Sequence, residues 1–290
     1  MRHQHTIARP CVIEGRGYWT GDPVTVSVHP AAVDNGITLV RADLAGRPSC
    51  PALIEYQHET PLRTILGRGE ARFEMVEHLL AALTALRIDN VRIDVTATEL
   101  PGLDGSALAY TDALSAAGLI LQSAPVQPLV LDATYRVGDG RAWVQASPPS
   151  GANSRYEYRL SFDDDTPIPP QIHASDDRPS TFIRHLAPAR TFVTAAAAAA
   201  IQARGLARHV TATDLIIVEP DGTPRGGPLR FNDEYARHKT LDLIGDLRLC
   251  GHVVRGDFTS FRGGHVLNGR MAARLAALAR QSEFLYKRAG

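Results

Sequence analysis

Two short clusters carry most of the chemistry this chain could do. In one, His238-Lys-Thr-Leu-Asp242 sets an imidazole and a carboxylate four residues apart on a strongly helical segment. Side chains at i and i+4 share a helix face, so both can reach one cation. Asp246 extends that face by a turn, on a helix otherwise rich in Leu241, Leu243, Ile244 and Leu247, where unpaired polar groups are costly to bury. By itself the spacing also fits a solvated helix face with an intrahelical His–Asp pair. In the other cluster, Glu77-His78 is flanked by Val76, Leu79 and Leu80. Adjacent helix positions diverge by about 100°, so one side chain can ligate while the other reaches the space beside the metal. If the two segments pack face to face, His78, His238 and Asp242 converge. Two imidazoles and a carboxylate then supply three ligands at about 2.0–2.2 Å and leave a fourth position for water, the catalytic kind of zinc site. Zinc lowers the pKa of that water to about 7, and Glu77 would be placed to take its proton. His265 follows two glycines at a helix start, which disfavours imidazolium; a carboxylate such as Asp246 reverses the bias, as a general acid requires. The alternative is a capping histidine. The chain has 11 histidines, and His3, His5, His29, His58, His173 and His185 have no spaced partner. They read as surface or hydrogen-bonded residues.

The elements that must position these groups come in two similar runs. Residues 24–28 and 36–40 alternate as a pair of strands, and Val76, Leu79, Leu80, Leu83 and Leu86 make 74–86 an amphipathic helix. Residues 91–95 alternate as a strand, and Leu103-Asp-Gly-Ser-Ala107 opens a second helix that Gly118 stops. Later, 233–250 is a long amphipathic helix, 253–261 a strand, and Gly263-Gly-His265 opens a helix to about 279. Helix, strand, turn, helix thus recurs as a structural pseudo-repeat with little sequence identity. Ala124-Pro-Val-Gln-Pro128 interrupts regular structure, which divides the chain into domains 1–124 and 125–290. Residues 163–170 and 221–228 are loops. Residues 194–206 form an alanine-rich helix that buries little, or else a lid over a ligand.

At 290 residues, the length suits two domains. With 31 basic and 31 acidic residues there is little drive toward polyanions, so nucleic acid is not expected as a partner. The longest apolar stretch, 193–201, is mostly alanine and too short to span a bilayer. Residues 1–14 lack a basic region followed by an apolar run, so no secretory signal is expected. Three widely spaced cysteines in no CxxC pair suit a reducing compartment, and a cytoplasmic location follows as an expectation.

At the same residues the chain resembles the UDP-3-O-acyl-N-acetylglucosamine deacetylases, zinc enzymes that commit bacteria to lipid A synthesis. The likeness runs through Val76-Glu-His-Leu-Leu-Ala-Ala-Leu83, Ile88-Asp-Asn-Val91, Leu103-Asp-Gly-Ser-Ala107, Ala189-Arg-Thr-Phe192, Arg204-Gly-Leu206 and Leu229-Arg-Phe231. It continues in Asp233-Glu234, Arg237-His-Lys-Thr-Leu-Asp-Leu-Ile-Gly-Asp-Leu247, Gly263-Gly-His265 and Leu267-Asn268. The resemblance implies an α+β fold of two similar domains, each a sheet with two helices, the helices sandwiched between the sheets. It implies zinc at His78, His238 and Asp242, a set that also accommodates iron(II). It further implies Glu77 as general base, His265 as the acid for the leaving amine with Asp246 orienting it, and Thr191 as an oxyanion donor. Lys239 and Arg262 would contact the sugar and diphosphate, Phe192 would wall the sugar pocket, and Phe162 would meet the nucleoside. The acyl passage would be built by an insert at about 193–220. The expected partner is an acylated UDP-sugar that loses its 2-acetamido acetyl group, the lipid bringing the protein to a membrane surface, and a monomer is expected.

The chain departs from the family pattern in places. A usual Gly-x-Gly-Leu-His-Thr-Gly reads Gly15-Arg-Gly-Tyr-Trp-Thr-Gly21, so Trp19 replaces a histidine and its indole offers one donor and no acceptor. A Gly-Gly-Ser-like turn is replaced by Arg208-His-Val-Thr211, and the usual His-Pro after Phe162 by Asp163-Asp164. These departures motivate a second reading, a paralogue acting on a different N-acyl sugar nucleotide.

Overall fold

The computed structural model describes the backbone of residues 2–162 and 166–289, with side chains as far as residue 282. Strand alternation builds its first sheet. Val24, Val26 and Val28 of Pro23–Pro30 turn inward while their neighbours face out, and Val91–Val95 repeats the pattern. The strand order is Cys11–Arg16, Pro23–Pro30, Val91–Val95, Ile37–Arg41, Ser49–Pro51. A second sheet has the order Tyr135–Gly138, Trp143–Ser147, Asp257–Phe261, Arg155–Leu160, Gln171–Asp176. The two sheets match strand for strand. In each, the last strand of the sequence inserts at the centre, antiparallel to the second strand and parallel to the third. The pseudo-repeat is therefore one of topology.

Among the described residues, six helices accompany the sheets: α1 (Glu77–Ala85), α2 (Leu108–Ala117), α3 (Pro179–His185), α4 (Ala195–Ala203), α5 (Glu234–Leu247) and α6 (His265–Ala289). Helices α1 and α5 each precede the central strand of their half, and α2 and α6 each follow it. These four make up the layer between the sheets, α1 packing on α2 and α5, and α5 on α6. Their apolar faces close one shared core. The α1–α5 crossing depends on Gly245. A Cβ there would lie 2.1 Å from the Glu77 carbonyl oxygen and 3.2 Å from the Ala81 nitrogen, so only glycine permits the approach. Because the helices touch there, Glu77 and His78 face the turns of α5 that carry Asp242 and Asp246. Each half also carries a three-stranded insert ahead of its central helix: Gln57–His58, Ile65–Arg68 and Ala71–Glu74 in the first, Phe192–Thr194, Ile216–Val218 and Pro224–Arg225 in the second.

Several boundaries differ from the sequence expectation for local reasons. The strands at 24–28 and 36–40 do not pair with each other, because Val91–Val95 lies between them. Helix α1 starts at Glu77 rather than 74, since Glu74 ends a strand and Met75, at φ 63°, turns the chain. Leu103 (φ 56°) and Gly105 (φ 82°) hold a turn, which delays α2 to Leu108. The expected strand at 253–261 splits into Val254–Arg255 and Asp257–Phe261, and α6 continues past 279. Strand Leu119–Pro125 pairs with His3–Ile7 and runs into the segment expected to be irregular. The alanine-rich helix α4 buries none of its residues, as the plain-helix reading anticipates. Asp163-Asp164 lies outside the described residues. Among those described, no helix is long and apolar enough to cross a membrane.

Candidate metal centre

Three side chains from α1 and α5 meet between the sheets. His78 Nε2 lies 3.7 Å and His238 Nε2 3.4 Å from Asp242 Oδ1, all three residues being buried. Ligands held at about 2.0–2.2 Å by a tetrahedral ion stand roughly 3.3–3.6 Å apart, so the spacing suits a shared metal. Asp242 Oδ1 is buried and accepts no hydrogen bond, while Oδ2 accepts one from Lys239 Nζ at 2.7 Å. A buried carboxylate oxygen facing two imidazole nitrogens is costly unless a cation sits among them. The donor set therefore fits a divalent ion.

The neighbours hold these ligands in the right form. His238 Nδ1 donates to the Ala189 carbonyl at 3.1 Å, which fixes the tautomer and leaves Nε2 as a lone-pair donor. Burial, with the nearby His238 charge, holds His78 down at about 3, and burial likewise lowers His238. Burial would raise Asp242, but His238, Lys239, His265 and His78 outweigh it and keep the carboxyl below its usual range. All three are thus poised in their metal-binding protonation states.

Two proton-carrying groups flank the cluster. Burial pushes Glu77 up to about 7, with the Asp246 and Asp242 charges adding to it and His265 opposing. Glu77 is 2 % exposed, and its Oε2 accepts the Thr64 N–H at 3.1 Å. Burial works against a charged His265, yet the charge and hydrogen bond of Asp246, with Asp242 and Glu77, prevail and raise it to about 9. His265 Nδ1 donates to Asp246 Oδ2 at 2.8 Å, and Nε2 faces the cluster, 3.9 Å from Asp242 Oδ2. Asp246 also accepts from Thr64 Oγ1 (2.5 Å) and Asn268 Nδ2 (2.9 Å). The turn that delivers His265 is fastened by the Tyr158 hydroxyl, which donates to the Gly263 carbonyl. Thr64 and Tyr158 belong to no motif, and neither shows in the sequence.

Of the remaining expected residues, Lys239 and Phe192 adjoin this cluster, and Thr191, Arg262 and Phe162 are placed as follows. Lys239 is committed to Asp242 and sits 5.8 Å from the Phe192 ring centroid. Phe192 packs on Tyr235 and lies edge-on to His238, so it stands beside the His–His–Asp cluster. Thr191 is placed by its N–H, which donates to the Gly105 carbonyl at 2.7 Å, and lies between Ala189 and Phe192, both in contact with His238. Arg262 adopts a left-handed backbone (φ 53°), its N–H donating to the Arg159 carbonyl, one residue before Gly263. Phe162 is 40 % exposed beyond the end of strand Arg155–Leu160.

Two of the departures from the family pattern touch one another. The Trp19 carbonyl accepts the Ala207 N–H at 3.1 Å, and His209 Nε2 reaches the Gly17 carbonyl at 2.8 Å. The guanidinium of Arg63 lies 4.4 Å above the Trp19 ring. The Trp19 turn and residues 207–209 therefore form one packed unit rather than independent changes.

Two topologically matched α+β halves that bury a His–His–Asp donor set, with a carboxyl and a carboxylate-held imidazole beside it, have the make-up of a candidate hydrolytic metal centre. Comparison with known proteins narrows this further. A family model described as UDP-3-O-acyl N-acetylglycosamine deacetylase matches residues 4–277, and the chain belongs to that family. It is 35 % identical over 285 residues to proteins named UDP-3-O-acyl-N-acetylglucosamine deacetylase from Shewanella sp. (strain W3-18-1), Shewanella baltica (strain OS155) and Shewanella oneidensis, covering 96 % of this chain and 90 % of each relative.

Proposed function

We propose that the enzyme hydrolyses the 2-acetamido group of a UDP-3-O-acyl-N-acetylglucosamine, releasing acetate and leaving the free amine, the committed step of lipid A assembly. The observation that carries the reading is the unpartnered Asp242 Oδ1 facing His78 Nε2 and His238 Nε2, with Glu77 and His265 adjoining. Zinc is the metal proposed for His78, His238 and Asp242, where it would supply a Lewis acid for the amide carbonyl and make water a stronger acid. Glu77, ionised, takes one proton from the water whose oxygen bonds to the acetyl carbon. The Thr191 hydroxyl donates to the carbonyl oxygen as it gains charge. His265 then gives its Nε2 proton to the sugar nitrogen as the C–N bond breaks, and Asp246 keeps the resulting imidazole aimed. Glu77 loses its proton and His265 regains one from solvent to complete the cycle. Lys239 and Arg262 supply cationic contacts to sugar and diphosphate, Phe192 a wall for the sugar, and Phe162 a face for the nucleoside. A nucleotide-activated sugar as substrate is consistent with a cytoplasmic enzyme.

The test is incubation of zinc-loaded protein with the acylated UDP-sugar and mass analysis of the product. The expected result is loss of one acetyl group, abolished by a chelator and restored by zinc. An unchanged substrate mass, or turnover indifferent to the chelator, would overturn the reading.

A further inference from the structure

Thr64 sits just before strand Ile65–Arg68, fully buried, in a stretch that carries no motif. Each of its polar atoms is engaged at the site. Its N–H donates to Glu77 Oε2 at 3.1 Å, and its carbonyl accepts the N–H of Met75, the left-handed residue that turns the chain into α1. Its hydroxyl stands 2.5 Å from Asp246 Oδ1 and 3.3 Å from His265 Nδ1. A hydroxyl has one proton, and the short contact to an acceptor-only carboxylate takes it. Asp246 Oδ1 is thereby occupied, and Oδ2 is left to His265 Nδ1 and Asn268 Nδ2. The carboxylate plane cannot turn without breaking one of these bonds.

Glu77 comes from the first half of the chain, whereas Asp246 and His265 come from the second. Thr64 touches all three, so the covalent geometry of one residue sets their spacing. We propose that Thr64 is a positioning residue whose N–H aims Glu77 and whose hydroxyl locks Asp246 so that His265 Nε2 stays directed at the reacting amide. The inference rests on the roles given above to Glu77 and His265. It does not require Thr64 to touch substrate.

Thr64→Val retains the volume and removes the hydroxyl, leaving Asp246 Oδ1 buried without a donor. Thr64→Ser keeps the hydroxyl. In zinc-loaded protein with unchanged metal content, Thr64→Val is expected to lower kcat about 10–100-fold with KM within about twofold, and Thr64→Ser to stay within about threefold of wild type. A kcat within about twofold of wild type in Thr64→Val, or a Thr64→Ser loss above about tenfold, would overturn the proposal. The Ser variant decides the matter alone if the Val variant does not fold. A second readout needs no turnover: the downfield proton resonance of His265 Nδ1–H. It should persist in Thr64→Ser and shift or broaden in Thr64→Val, and an unaltered resonance in Thr64→Val would refute the lock. Should wild-type protein release no acetate, the functional reading fails while the resonance still judges Thr64.

Discussion

Replacing Asp246 by asparagine separates the work of Glu77 from that of His265. In the wild-type protein, burial alone would take His265 below its ordinary 6.5, yet Asp246, Asp242 and Glu77 hold it at about 9. The interval between 6.5 and about 9 corresponds to about 3 kcal/mol in favour of the imidazolium. Since burial opposes that result, the carboxylates contribute more than the net figure. A general acid works protonated, so its activity is lost as pH rises through its pKa; a general base works ionised, so its activity is lost as pH falls through its own. Glu77 stands at about 7 from burial, and a divalent cation at the adjoining ligands draws it lower. The wild-type kcat/KM profile is therefore a bell, rising at or below pH 7 and falling at or below about 9, since the same cation also disfavours the imidazolium. Asparagine keeps the shape of the residue but not the charge, so the largest of the interactions that raise His265 is lost and burial is opposed by Asp242 and Glu77 alone. The descending limb should move acidward by more than about one pH unit, and the maximum should drop about tenfold or more as the two limbs close. Acetate release measured at fixed zinc from about pH 5 to about pH 10 reads both effects. A descending limb that stays in place in Asp246→Asn would refute the assignment of that limb to His265.

Glu77→Gln should cut kcat/KM by about 10²–10⁴ with zinc still bound, checked by turnover beside elemental analysis; undiminished turnover would remove Glu77 as the base. His78→Ala or Asp242→Asn should lose the metal itself, seen as a zinc content well below one per chain after dialysis. Free zinc at about 1,000 times its Kd should stabilise the fold by about 4 kcal/mol, so the chelated protein should melt at a lower temperature. Gly245→Ala drives a Cβ into the Glu77 carbonyl, which backbone cannot easily yield, and should cost about 1–3 kcal/mol in urea denaturation of the metal-free protein.

The convergence of His78, His238 and Asp242 is legible in the sequence because each signal is local. His238 and Asp242 share a helix face by spacing alone, and Glu77-His78 occupies the matching helix of the other run. The sheet topology is only half visible: alternation marks 24–28 and 36–40 as strands, but it cannot say that Val91–Val95 will insert between them. Helices start later than their periodicity suggests where one residue takes a left-handed conformation, as Met75 and Leu103 do, because apolar periodicity is blind to φ. The supporting residues were hidden for a different reason. Thr64 meets Asp246 across 182 positions and Tyr158 meets Gly263 across 105, so nothing near them in sequence announces a partner. Gly245 looks like a weak point in a helix until α1 is laid against it. Trp19 and residues 207–209 register in sequence as two unrelated departures, and only the fold shows that they are neighbours.

Anomalous diffraction at the zinc edge from crystals of the zinc-loaded protein decides whether His78, His238 and Asp242 share a metal ion. One strong peak is expected about 2.0–2.2 Å from His78 Nε2, His238 Nε2 and Asp242 Oδ1. A peak held by other residues, or no peak from catalytically competent protein, would contradict it.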